Sequence, residues 1–141
     1  NTEFSSQYLA YENLPKKYKT QINKLSGTFS SKGPIAITTV ERVKEKGKLN
    51  TELKANHKLV KTIGKKKSIY FSAGHFIGFN SRQNRKLNEL EKYLKKHQIK
   101  KKFQFSLEWE KNQLAIWDNR SMLHQATPFN GNRIMHRITI K

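Results

Sequence analysis

The sequence predicts a mainly β fold with helical insertions, an antiparallel sheet or barrel of α+β character. Three observations carry that expectation. Phe103, Phe105, Leu107 and Trp109 alternate strictly with Gln104, Ser106 and Glu108, the period-2 pattern of a half-buried strand. Two hairpin patterns flank short turns, one at Gly64-Lys65-Lys66 and one at Lys111-Asn112. Strand patterns also outnumber helical ones toward the C-terminus.

Taken in order, Thr2 to Tyr8 starts extended or as a turn, and Ser5 or Ser6 can cap a short helix over Gln7 to Asn13. Pro15 suits the first turn of a second helix, where Leu14, Tyr18, Ile22 and Leu25 share one apolar face and Gly27 is the expected stop. Pro34 to Ile37 reads as a short strand, and Lys44 to Lys54 as a mobile, lysine-rich surface insertion. His57 to Thr62 forms a strand whose hairpin mate is Ser68 to Ser72. Ser81 can cap a helix running to about Lys96, with Leu87, Leu90 and Leu94 on its buried side. After the Phe103 to Trp109 strand, Leu114 to Trp117 returns, with Trp117 expected in the core, and Arg133 to Ile140 is the final strand.

At 141 residues the chain is one domain or part of a larger one. It has no cysteine, so disulfides, thiolate nucleophiles and zinc ribbons are excluded. No apolar run approaches the ~18 residues that span a bilayer, and no signal-peptide pattern is read in these residues; a cytoplasmic location is expected. The chain opens at Asn1-Thr2-Glu3-Phe4 without Met, which reads as a cut from something longer. The net charge is +19 with a pI near 10.2, a footprint that suits nucleic acid. Against that, the cations are mostly lysine, they are spread along the chain, and no nucleic-acid motif accompanies them. A lysine-rich solvated surface, or an acidic missing part or partner, is favoured.

Chemistry-bearing residues gather after Trp117. Asp118, the one aspartate in the chain, is most simply a turn former whose carboxylate accepts nearby N–H groups; a catalytic carboxylate is the alternative. His124 is a lone histidine, either structural or a metal ligand. On a final strand, Arg133, Met135, Arg137 and Thr139 share one face, and Ile134, His136, Ile138 and Ile140 the other, toward a core. The two arginines then sit roughly 13 Å apart at the backbone. Their planar forks suit carboxylate or sulfonate; the plainer reading is two surface arginines.

Trp117-Asp118-Asn119-Arg120, then His124, then Arg133-Ile134-Met135-His136-Arg137 resemble the C-terminal signature of the taurine dioxygenase (TauD/TfdA) family. Thr2-Glu3-Phe4-Ser5-Ser6 resembles the segment after the family's GGDT turn. His57 to Thr62 resembles its HPVVRT stretch, with Lys58 where the family usually has proline. Trp109 to Trp117 resembles its W-x-x-N-D-I-A-I-W hairpin, and the region from Gly78 to Arg82 matches poorly. The resemblance implies a partial double-stranded β-helix (jelly roll, clavaminate synthase-like) and an Fe(II)- and 2-oxoglutarate-dependent dioxygenase that uses O2. It assigns His124 as the distal iron ligand and Thr2 and Arg133 to 2-oxoglutarate. Arg137 is assigned to the anionic group of the substrate, taurine or another alkylsulfonate. No catalytic residue beyond the metal site is implied.

The family's iron also needs a His-x-Asp or His-x-Glu pair, and none of His57, His75, His97, His124 and His136 is followed two positions later by an acid. Residues 1–141 are therefore expected to be the C-terminal part of a single TauD/TfdA-type domain, with the N-terminal part and its His-x-Asp motif missing. A degenerate homologue without its metal is the competing reading. The chain alone is expected to be inactive and to bind no iron tightly. Expected partners are an anionic small molecule and, at full length, further copies of the protein; no membrane is expected, and nucleic acid is disfavoured. The rival from another class is a basic, non-catalytic binding module for nucleic acid or an acidic partner.

Overall fold

The computed structural model of the protein describes residues 1–34, 52–128, 130–131 and 134–140. Among them the elements run β1 (Thr2–Ser6), α1 (Gln7–Glu12), α2 (Lys16–Ile22), β2 (Ser26–Ser30), β3 (Lys54–Lys58), β4 (Val60–Ile63), β5 (Lys66–Ile69), β6 (Phe76–Phe79), α3 (Arg85–His97), β7 (Gln104–Leu107) and β8 (Met122–Ala126). A 3-10 turn over Lys101–Phe103 precedes β7. Strands and a few helices thus dominate, as the sequence predicts. β1 is the centre of one antiparallel sheet, ordered β7-β1-β8; a second is ordered β3-β2-β6, and β4-β5 is a separate hairpin.

Local chemistry explains the ends of the helices. Ser6 caps α1 by accepting the Leu9 N–H at 3.4 Å. Pro15 precedes α2, whose Ile22 is buried, and the Asn23 side chain turns back onto the Lys19 carbonyl at 2.7 Å. The helix therefore stops before Gly27, not at it. Gly27 lies within β2, and a side chain there would place its first carbon 2.5 Å from Cε2 of Phe76. The glycine is needed for close packing, not for a helix cap. The cap of α3 is Asn84, not Ser81: its backbone is extended and its Oδ1 accepts the Leu87 N–H at 3.1 Å. The expected buried stripe of Leu87, Leu90 and Leu94 is present. It joins Ala10, Leu14, Ile22, Leu59, Ile69 and Phe103 in one core.

The strand expected at His57 to Thr62 divides at Leu59. This residue is fully buried; its N–H donates to the Leu25 carbonyl at 3.0 Å and its carbonyl accepts from Tyr70 at 2.8 Å. With both main-chain groups drawn to different neighbours, β3 joins the sheet of β2 and β4 pairs with β5. Gly64, at φ 58°, makes the hairpin turn. The strand and insertion expected at Pro34 to Ile37 and Lys44 to Lys54 lie largely outside the described residues.

Two other expected strands do not form ladders. Asn112 makes its turn at φ 65°, but Leu114 to Trp117 pairs with no strand among the described residues. Residues 134–140 do not either. Leu114, Ile116, Ile134, Ile138 and Ile140 are 82–89% exposed, so the isoleucines expected in a core face outward. The cause is topological: the sheet ends at β7 and β8, and an extended segment with no neighbour has nothing to satisfy its backbone but water.

A buried histidine ties α3 to α1. His97 is 2% exposed, stacked on Tyr93 and tilted against Phe103. With Nε2–H donating to the Ala10 carbonyl at 2.8 Å, Nδ1 is left to accept from the Tyr93 hydroxyl at 3.2 Å. Burial pushes its pKa below 6.5, against the smaller opposing effect of the Ala10 bond. The unfolded chain takes the proton near pH 6.5 and the folded chain resists it. Stability is thus expected to be complete above about pH 6.5 and to fall as pH drops from there through the lowered folded value. Thermal melts between pH 5 and 7.5 check this, and His97→Gln should flatten the profile.

Candidate functional site

The site is built on one face of β1. Side chains alternate along a strand, so Thr2 and Phe4 point the same way. Phe4 lies opposite His124 of β8 and Phe105 of β7, and Thr2 opposite Ala126 and Leu107. Directly opposed residues share a face, and a diagonal step across two strands is about 7–8 Å. Thr2 and His124 therefore project from the same face, one diagonal apart. Phe4 fills the floor between them, stacked on Phe105 at 5.1 Å and tilted against His124 at 6.1 Å.

The turn before β8 brings Trp117 over this floor. Asp118 Oδ1 accepts the Arg120 N–H at 2.8 Å, and its carboxylate also takes the Arg120 guanidinium, at 2.7 Å on Oδ2. The Asp118 carbonyl accepts from Ser121 and Met122, which launches β8. Asp118 thus forms the turn that the sequence predicts. The Arg120 hydrogen bond holds its carboxyl below the ordinary carboxylate range. Trp117 donates its indole N–H to Asn119 at 2.9 Å and presents its ring to Phe4 at 5.2 Å and to His124 at 5.1 Å. Expected as core packing, it is instead half-buried in the wall of the site.

Arg137 reaches the same place without a strand to carry it: its Cζ lies 5.9 Å from the Trp117 ring. His124 and Arg137 both line a cavity of about 560 Å³, with His57, His75, Tyr70 and Asn119 among its other walls. Burial, and then the Arg137 charge, push the His124 pKa below 6.5, which favours the neutral imidazole. A neutral imidazole is the form that binds a metal.

Of the residues singled out from sequence, His124 and Arg137 share the cavity, and Thr2 shares the His124 sheet face. Thr2 is 6% exposed, and its Oγ1 accepts the Trp109 indole N–H at 2.8 Å. Arg133 lies outside the described residues, and the strand face it was expected to share with Arg137 lies outside them with it. Among the described residues no group of three or more His, Cys, Asp or Glu could hold a metal ion. His124 would be one donor of such a site, and the described residues do not supply the remainder. Sequence reasoning missed the wall formed by His57, His75 and Tyr70, and the tie from Trp109 to Thr2. The alternation ending at Trp109 was a usable signal for the latter.

The chain is similar to known dioxygenases. The model of the family "Taurine catabolism dioxygenase TauD, TfdA family" matches residues 1–139. A solved structure of AAD-2 in complex with Mn(II) and N-oxalylglycine is 22% identical, with a TM-score of 0.72 over 92% of this chain and 48% of that one. A taurine dioxygenase from Burkholderia xenovorans is 22% identical, with a TM-score of 0.69 over 87% of this chain and 39% of that one. The chain thus spans less than half the length of these structures, and at such identity the likeness shows a shared fold. The family match, which runs through the Thr2 strand, the Trp117 turn and His124, shows that the chain belongs to the taurine catabolism dioxygenase TauD/TfdA family.

Proposed function

We propose that this chain is the C-terminal part of an Fe(II)- and 2-oxoglutarate-dependent dioxygenase that hydroxylates an anionic small molecule, a taurine-like alkylsulfonate before others. The observation that carries the reading is the meeting of His124 and a cationic Arg137 at one cavity, both against the Trp117 ring. In this reading His124 is the distal metal ligand, and Thr2 with Arg133 holds the distal carboxylate of 2-oxoglutarate. Arg137 binds the anionic group of the substrate and fixes its orientation. The histidine and carboxylate that complete the metal site lie N-terminal to Thr2 in the whole protein, with the rest of the double-stranded β-helix. Residues 113–117 and 134–140 would then pair within that complete fold.

Iron, when bound, supplies the chemistry by which 2-oxoglutarate and O2 become succinate and CO2 while one oxygen atom enters a substrate C–H bond. On a carbon bearing sulfonate, the hydroxylated product collapses to an aldehyde and releases sulfite. This chain's residues bind and orient. The test is the complete reading frame, expressed anaerobically and supplied with Fe(II) and 2-oxoglutarate. Succinate release is screened against taurine, other sulfonates, alkyl sulfates and aryloxyacetates. Substrate-dependent succinate is expected; none with any of these anions would defeat the proposal. The 141-residue chain alone is expected to bind no stoichiometric Fe(II), and stoichiometric binding would overturn the division of ligands.

A further inference from the structure

The Thr2 hydroxyl is held in an unusual way for a buried group. Its oxygen accepts a 2.8 Å hydrogen bond from the Trp109 indole N–H, 107 positions along the chain. An indole nitrogen can only donate, so the direction of this bond is fixed. A hydroxyl has one proton of its own to give, and no acceptor for it occurs among the described residues. That leaves the proton for a group on the face that Thr2 shares with His124. A carboxylate, which accepts and cannot donate, is the chemical complement, and an O–H bond to a carboxylate is charge-assisted.

We infer that Trp109 is a positioning residue: by occupying the Thr2 oxygen as an acceptor, it commits the Thr2 O–H to a carboxylate ligand bound beside His124. This rests on the reading that Thr2 meets the 2-oxoglutarate carboxylate, and it adds the residue that sets the polarity of that contact. Without the indole N–H, nothing fixes whether the hydroxyl turns its proton or a lone pair toward the ligand. Phenylalanine at position 109 keeps an aromatic ring but offers no donor.

The test uses the complete protein loaded with Zn(II), which is redox-silent, and titrates the unreactive 2-oxoglutarate analogue N-oxalylglycine by calorimetry. Thr2→Val is expected to weaken binding about 10- to 100-fold, the range for a lost hydrogen bond to a charged group. Trp109→Phe is expected to weaken it about 3- to 10-fold, and to add nothing in a Thr2→Val background. If Thr2→Val leaves affinity unchanged, the assignment of Thr2 to the cosubstrate fails and the inference falls with it. If Thr2→Val weakens binding but Trp109→Phe does not, or costs as much without the hydroxyl as with it, only the inference is overturned. A readout in the unsubstituted protein guards against a misfolded variant. The Trp109 indole N–H resonance should move when N-oxalylglycine binds, and an unmoved resonance counts against the inference.

Discussion

Leu90→Ala is expected to lower the stability of the chain by about 2–5 kcal/mol, the range for removing a large buried aliphatic side chain. Leu90 is fully buried, on the stripe by which α3 meets the core beside Leu87 and Leu94. The cost has two parts: the lost transfer of the side chain from water, and the cavity left when neighbours relax only in part. Domains of this size are held by only about 5–15 kcal/mol in all, so one such cavity is a large fraction of the total. Urea unfolding should show a lower midpoint with the slope preserved. Leu90→Met nearly conserves volume and should cost less than about 1.5 kcal/mol. Lys92→Ala, on the exposed face of the same helix, should stay within about 0.5 kcal/mol. Equal losses for Leu90→Ala and Lys92→Ala would mean that α3 does not pack as described.

Arg137→Gln should cut kcat/KM of the complete enzyme for an anionic substrate by about 10- to 100-fold, carried mainly by KM. On the proposed role, the reason is the loss of a paired, charge-assisted contact to the substrate at the cavity that Arg137 lines with His124. Arg137→Lys keeps the charge without the planar fork and should recover part of the loss. An unchanged KM would remove Arg137 from the substrate site. A second consequence can be read in the metal-free chain by NMR titration of the His124 ring. The Arg137 cation is the lesser of two influences that hold this imidazole neutral, after burial. Removing a positive neighbour favours the imidazolium, so the pKa should rise; burial remains, so it should stay below 6.5.

Local patterns were legible wherever a residue's role is settled by its near neighbours. The Ser6 cap, the leucine stripe of α3, the Gly64 hairpin and the Asp118 turn each depend on contacts a few positions away. The reading failed where a distant segment decides. Gly27 resembles a helix stop until Phe76 is seen against it. Leu59 splits the strand expected over His57 to Thr62 because Leu25 and Tyr70 take its main-chain bonds. The alternation of Ile134, Ile138 and Ile140 predicts a strand, but a strand needs a neighbour, and period alone does not supply one. In the site, His124 and Arg137 stood out as residue types, and their roles, with that of Thr2, came through resemblance to a family. Their arrangement on the β1 face and around Trp117 required the register of three strands and the turn before β8.

The outward-facing Leu114, Ile116, Ile134, Ile138 and Ile140 sit on a body whose sequence carries a net charge of +19. That pairing makes colloidal behaviour a matter of ionic strength. In about 10 mM salt the repulsion between two such cations extends roughly 30 Å and keeps the sticky segments of separate molecules from touching. At about 150 mM it extends only about 8 Å, shorter than an encounter between whole molecules requires. Adding sodium chloride to a clear solution of the chain should therefore raise its light scattering, the reverse of the salting-in shown by proteins that associate through opposite charges.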